Sequence, residues 1–219
     1  MIEWQLGRKM TSTQIKYMEQ LRRQLTLVCS DTMGALVDSH MFMFPAAIEH
    51  NNYKTHIFLY SFYAIRQHTV LSTRKLVELS GKDKINVHSI VMLVTKPEFP
   101  WLSDNEKKAL IVDWDNLFHS EHNQRIKDFR NALCHNIPDR NEVKCYFEDF
   151  MYIIEGAIYI LSQLYQIAFD KIPAFFKEAR DIAMTLSKEY WKAVDKATDT
   201  SNNHHEINIR LDQLLNGKF

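Results

Sequence analysis

The stretch at residues 143–165, VKCYFEDFMYIIEGAIYILSQLY, decides the fold. Val143, Phe147, Phe150, Ile154, Ile158, Leu161 and Tyr165 recur at three- and four-residue intervals. That spacing lines up side chains along one face of an α-helix, whereas a strand would alternate. Asp139 with Glu142 three residues later has the pattern of a capping box, so the helix is expected to open there. A helix with so broad an apolar face must be covered by other elements, and the flanking sequence supplies more helices rather than strands.

TSTQ at 11–14 sets Thr11 three residues before Gln14, a second capping box. It predicts a first helix with Ile15, Met18, Leu21, Leu25, Val28, Thr32 and Leu36 inside and a boundary forced near Pro45. A second helix is expected over roughly 53–79, with Ile57, Tyr60, Tyr63, Ala64, Val70 and Leu71 turned inward and Gly81 past its end. A short helix from Val87 to Val94 follows. The two prolines of KPEFPWLS at 96–103 break the pattern, and Ser103 with Glu106 opens a fourth helix. There Leu110, Trp114 and Leu117 share a face, while Ile126, Phe129 and Leu133 lie about half a turn away. HSEHN at 119–123 is therefore a break, unless Phe118 and His122 join the stripe and the helix continues. Pro173 suits the first turn of a last long helix carrying Phe176, Ala179, Ala183, Leu186, Tyr190 and Val194. TDTSNNHHE, from 198, reads as a linker before Ile207, Leu211, Leu214 and Leu215, which return to helical spacing. The expected organisation is one all-α bundle of about five to six long helices over 1–197. The remainder, 198–219, is a linker and a short amphipathic helix that either docks on its own core or is exchanged with a partner.

Composition agrees with this plan. The chain has 219 residues, 46% of them hydrophobic, and only 5 glycines and 5 prolines. That suffices for one sizeable core and leaves few tight turns. With 27 basic and 27 acidic residues the formal charge is zero, so attraction to nucleic acid must come from a local patch. Cys29, Cys134 and Cys145 have no CxxC spacing and are odd in number, which fits a reducing cytoplasm better than a disulfide framework. The N-terminal MIEWQLGRKM lacks a basic start and apolar run, and no window nears the roughly 18 apolar residues of a membrane span.

The candidate chemistry lies in FRNALCHN at 129–136. Phe129 and Leu133 belong to the apolar stripe; Asn131 and His135, four apart, share another face, and Arg130 lies about 140 degrees round from His135. Asn136 and Pro138 place His135 in the last helical turn, where the helix dipole favours its protonated form. A histidine there serves equally as a cap for orphan carbonyls, and an arginine one turn earlier is commonly just solvated. Arg130, four intervening residues with the polar Asn131 first, and His135 resemble the R-x4-H signature of HEPN domains. With LSTRKLVEL at 71–79, the order of helices over 12–195 is similar to the abortive-infection U-type branch of that superfamily.

The resemblance implies a homodimeric, metal-independent endoribonuclease toxin of a phage-defence or toxin-antitoxin system, with the motifs of two protomers facing one cleft. It assigns His135 as general acid or base, Arg130 as phosphate anchor and Asn131 as the residue orienting the histidine or the RNA. It also implies an antitoxin partner, and the family's nucleotidyltransferase-type antitoxins modify a tyrosine two positions after the histidine. Ile137 stands at that position here. The alternative is a silent HEPN-like adaptor that binds RNA or a partner protein without cutting.

Arg66, His68, Arg74 and Lys75 form a basic run on the second helix, read as a solvated face or as a phosphate-tracking surface beside the cleft. Tyr60 and Tyr63 nearby are candidates for base stacking or for the core. The pairs His119/His122 and His204/His205 lack a third ligand at sensible spacing, so no metal or other cofactor is expected. Cys134 has no evident base partner, Asp113 and Asp115 face different sides of a helix, and no glycine-rich phosphate loop is present.

Overall fold

A computed structural model of the chain describes residues 10–43, 56–79, 85–134, 144–171 and 174–201. Its elements are α1 (Ser12–Met43), α2 (His56–Val77), α3 (Val87–Val94), α4 (Asp104–Phe118), α5 (Glu121–Cys134), α6 (Phe147–Phe169) and α7 (Ala174–Ser201). Among the described residues there is no strand, and the protein is an all-α bundle.

The hydrogen bonds that start α1 and α4 are those their sequences predict. Thr11 N–H donates to Gln14 Oε1 at 2.9 Å while Gln14 N–H donates to Thr11 Oγ1 at 3.2 Å. Ser103 and Glu106 make the same reciprocal pair. In α3, Asn86 and Ser89 form a box that sequence reading missed, because asparagine followed by serine lacks the usual glutamate or glutamine. HSEHN is a real break. α4 ends at Phe118, and Ser120 opens α5 by accepting the Asn123 N–H on its hydroxyl at 3.1 Å.

α1 and α6 form the spine. Arg22 bonds the Ala168 carbonyl and His40 meets the Phe147 ring edge-on, so the two helices run antiparallel. Asp31–Lys75 and Asp38–His68 set α2 antiparallel to α1 in the same way. α6 touches α1, α2, α3, α4 and α5, and Phe150, Ile153, Ile154, Ile160, Leu161 and Leu164 are fully buried between them. Each such side chain contributes about 1.5–3 kcal/mol by leaving water. At Gly156 an added Cβ would lie 2.3 Å from Leu117 Cδ2, so the missing side chain is what lets α4 approach α6 closely.

Four expectations are corrected. Ile15 is exposed, so the buried stripe of α1 begins at Met18. On α2, Tyr60, Tyr63, Ala64 and Leu71 face outward, Tyr60 at 78% exposure, while Ile65, Thr69, Val70, Thr73, Arg74, Leu76 and Val77 face the bundle. α6 begins at Phe147, because Tyr146 N–H is bonded by Asp149 Oδ2 at 2.8 Å; residues 144–146 precede the helix, and Asp139, Glu142 and Val143 lie outside the described residues. In α7 the inner face is Ala179, Ala183, Ser187, Trp191 and Val194, with Leu186 exposed and Tyr190 half-buried, and the helix continues to Ser201 rather than ending at the 198 boundary. Pro45, Gly81, Pro173 and 202–219 lie outside the described residues.

Candidate functional site

The candidate site is built where α2 crosses α5. Asn123, in the first turn of α5, donates its amide to the Phe118 carbonyl at 2.7 Å and receives Arg74 Nη1 on its Oδ1 at 2.7 Å. The α4–α5 break therefore fixes Asn123, and Asn123 fixes Arg74. Arg74 is buried, and its Nη2 lies 3.9 Å from Oε1 of Glu78, four residues on and just past the end of α2. The same oxygen of Glu78 lies 3.6 Å from Nη1 of Arg130, whose side chain is 40% exposed. Burial lowers the Arg74 pKa; Glu78 opposes that shift and the neighbouring Arg130 charge adds to it. Arg66 completes the group, its guanidinium 5.2 Å from the Phe129 ring and 5.4 Å from Tyr63.

The basic run on α2 is thus divided between two sides of the helix. Arg66 and Arg74 turn to the α5 seam. His68 Nδ1 pairs with Asp38 at 2.8 Å and Lys75 Nζ with Asp31 at 2.8 Å, both acids on α1. Those two pairs are mutually neutralising when the imidazole is charged, so His68 and Lys75 add little positive potential to the seam. Asn131 is exposed. His135, Asn136, Ile137 and Pro138 lie outside the described residues, as does the side chain of Cys134. Tyr60 and Tyr63 are exposed on α2, Tyr63 with its ring 5.4 Å from the Arg66 guanidinium, and so are not core.

A second polar cluster, unforeseen from the sequence, ties the start of α5 to the start of α6. The Asp149 carboxylate is almost wholly buried, and its Oδ1 accepts from His122 Nδ1 at 2.8 Å and from Arg125 Nε at 2.8 Å and Nη2 at 2.7 Å. His122 also stacks on Tyr152, ring centroids 4.2 Å apart. Burial pushes the Asp149 pKa up, but the bonds from Arg125, the Tyr146 N–H and His122 outweigh it and the net shift is downward. The bond to Asp149 raises the Arg125 pKa. The sequence signal was His122 and Arg125 three apart on a helix, but nothing local identified their carboxylate 24 residues from Arg125.

A cleft of about 350 Å³ lies between α4 and α6, lined by Asp113, Asn116, Leu117, Tyr152, Glu155 and Tyr159 among others. It includes none of the residues of the arginine seam. No group of three or more His, Cys, Asp or Glu side chains suited to a metal occurs among the described residues. No described helix is long and apolar enough to cross a membrane.

The fold and seam define an all-helical bundle with an arginine-rich helix crossing bordered by exposed tyrosines. Comparison with protein-family models, with curated proteins and with solved structures returns no match to this chain.

Proposed function

We propose that this protein is a metal-independent endoribonuclease of the HEPN type, acting as a homodimer and restrained by a partner protein in a phage-defence or toxin-antitoxin setting. The observation that carries the reading is the position of Arg130. It is half-exposed and held by a carboxylate at 3.6 Å, next to Arg74, with Arg66 and the exposed rings of Tyr60 and Tyr63 on the adjoining helix. Guanidinium groups beside aromatic faces suit a single strand, whose phosphates pair with the former and whose bases stack on the latter.

In the reaction, His135 takes the proton of a ribose 2′-hydroxyl, and the oxygen attacks the adjacent phosphorus. The bond to the 5′-oxygen breaks, that oxygen takes up a proton, and a 2′,3′-cyclic phosphate remains. Arg130 stabilises charge growing on the phosphoryl oxygens, and Asn131 orients the histidine or the strand. DNA, lacking the 2′-hydroxyl, is not cut. Tyr60, Tyr63 and Leu71, exposed on one side of α2 next to the seam, are the apolar surface on which a second protomer would bring its own motif to the same groove.

One observation favours the adaptor reading. The Arg130–Glu78 pair and the burial of Arg74 also describe a seam that only holds two helices together. Incubation with RNA in EDTA separates the two. The nuclease yields cyclic-phosphate ends, and Arg130→Ala and His135→Ala each abolish them. Undiminished cleavage in both variants would overturn the site assignment, and intact RNA across varied sequences would favour the adaptor.

A further inference from the structure

The cleft between α4 and α6 takes no part in the arginine seam, and its lining has a consistent chemistry. Leu117 and Ile160 are buried and form an apolar floor with Gly156. Tyr152 and Tyr159 stand at the rim, 42% and 60% exposed, and the Tyr152 ring is held in place by stacking on His122. Each helix adds one carboxylate, Asp113 from α4 and Glu155 from α6. Glu155 accepts from Arg180 Nη2 at 2.5 Å in an exposed pair, so one of the two negative charges is already offset. Asp113 is half-buried and has no hydrogen bond or ion pair among the described residues.

From this lining we infer that the cleft receives a single arginine side chain from a basic segment of a partner protein. The inference stands apart from the ribonuclease reading. One uncompensated negative charge calls for one cationic group, and no basic side chain among the described residues lines the cleft to attract an anion. A wholly apolar occupant would strip water from Asp113 with nothing in return. A guanidinium meets each feature in turn: it donates charge-assisted bonds to Asp113, lies against tyrosine rings, and leaves its methylene stem over Leu117 and Ile160. The size agrees. At about 350 Å³ the cleft is at the small end of ligand pockets, which span about 300–1,000 Å³, and suits one side chain. Its exposed rim encloses a free metabolite poorly, whereas a side chain carried on its own protein needs no such enclosure, and tyrosines at the edge are typical of protein interfaces.

The test uses the full chain, isotope-labelled, and the capped peptide Ac-Gly-Gly-Arg-Gly-Gly-NH2 followed by amide chemical shifts. Shifts are expected at Asp113–Leu117 and Tyr152–Ile160. The same peptide with citrulline, a neutral isostere of arginine, should bind wild type about ten-fold more weakly, having lost both the ion pair and the ring contacts. Tyr159→Leu, which keeps an apolar rim, should weaken the arginine peptide about two- to five-fold. Asp113→Asn should do so by a similar factor, about two- to five-fold. Glu98→Gln, which removes a charge from the exposed turn after α3, should leave binding unchanged. Should either cleft variant unfold, the citrulline comparison still decides, because it is made on wild type. Equal binding of the two peptides, or shifts confined to other helices, overturns the site. Tighter binding of free argininamide than of the peptide overturns the partner protein as its source, and an oligoribonucleotide that shifts the same amides more strongly overturns the assignment to a cation.

Discussion

Asp149→Asn is the sharpest test of how the motif-bearing helix is held. The carboxylate joins α5 to α6 through His122 and Arg125 on one oxygen and starts α6 through Tyr146 N–H on the other. Asparagine retains one acceptor, but its NH2 must face either the Tyr146 N–H or the two donors from α5. Loss of the cap costs about 1 kcal/mol. Exchanging a charged acceptor for a neutral one at a buried position costs about 1–2 kcal/mol more. For a chain of this size each kcal/mol lowers Tm by about 2–4 °C, so a fall of about 4–12 °C at pH 7 is expected by calorimetry or circular dichroism. The pH dependence fixes the cause. The folded-state pKa of Asp149 lies below its ordinary value of 3.8, so the stability it contributes is complete above that value and is lost as pH falls through the folded pKa. The Tm difference between wild type and Asp149→Asn should hold from pH 7 to about pH 4 and shrink in more acid solution. An unchanged Tm at pH 7, or a difference that persists undiminished in acid, would refute the assignment of Asp149 as an ionised, bonded link.

Gly156→Ala sets a gain of about 1 kcal/mol in helix propensity against an overpacking cost of about 1–3 kcal/mol, since Leu117 Cδ2 at 2.3 Å and Cγ at 3.1 Å both stand in the way. The variant should be less stable than wild type by thermal unfolding, whereas in a Leu117→Ala background the same change should stabilise; a stabilising effect with Leu117 present would contradict the close approach. Burial pushes the Cys29 thiol up to about 12, and burial with the nearby Asp149 charge raises Cys145 further. In native protein at pH 8 a thiol-reactive disulfide reagent, followed by peptide mapping, should leave both unmodified while denatured protein reacts at both; rapid native labelling of Cys29 would show that its helix opens freely.

The parts of the fold legible in the sequence are those set by contacts a few residues apart. Thr11/Gln14 and Ser103/Glu106 cap helices by bonds three residues long, and the phase jump between Leu117 and Ile126 marked the break at Ser120. The faces of α2 and α7 were misjudged because buried polar side chains hide their cost locally. Thr69 Oγ1 donates to the Ile65 carbonyl, and Ser187 Oγ to the Ala183 carbonyl, so each is buried with its hydroxyl satisfied. Trp191 is buried with its Nε1 donating to the Met41 carbonyl, 150 residues away. Polarity alone therefore placed Tyr60, Tyr63 and Leu186 inside and left Thr69 and Ser187 out. The candidate site divides in the same way: Arg130 was visible as part of a short motif, but Glu78, Asn123 and the burial of Arg74 depend on a helix crossing that periodicity does not encode.

The arginines on and around α5 differ in how firmly they are held, and that difference bears on which can work on a ligand. Arg125 is bonded to one Asp149 oxygen at 2.8 and 2.7 Å and also approaches Glu121; moving it would strip a buried carboxylate of its partner. Arg74 is buried and bonded to Asn123 at 2.7 Å, so a phosphate could reach it only by opening the seam. Arg130 is held less tightly: Glu78 Oε1 stands 3.6 Å from its Nη1, and its side chain is 40% exposed. An electrophilic anchor must be oriented before the strand arrives yet surrender its resting partner at small cost, because binding energy lost in breaking a strong ion pair is not available to stabilise the transition state. If the protein is the ribonuclease proposed above, that criterion favours Arg130 over Arg125 and Arg74 as the phosphate anchor.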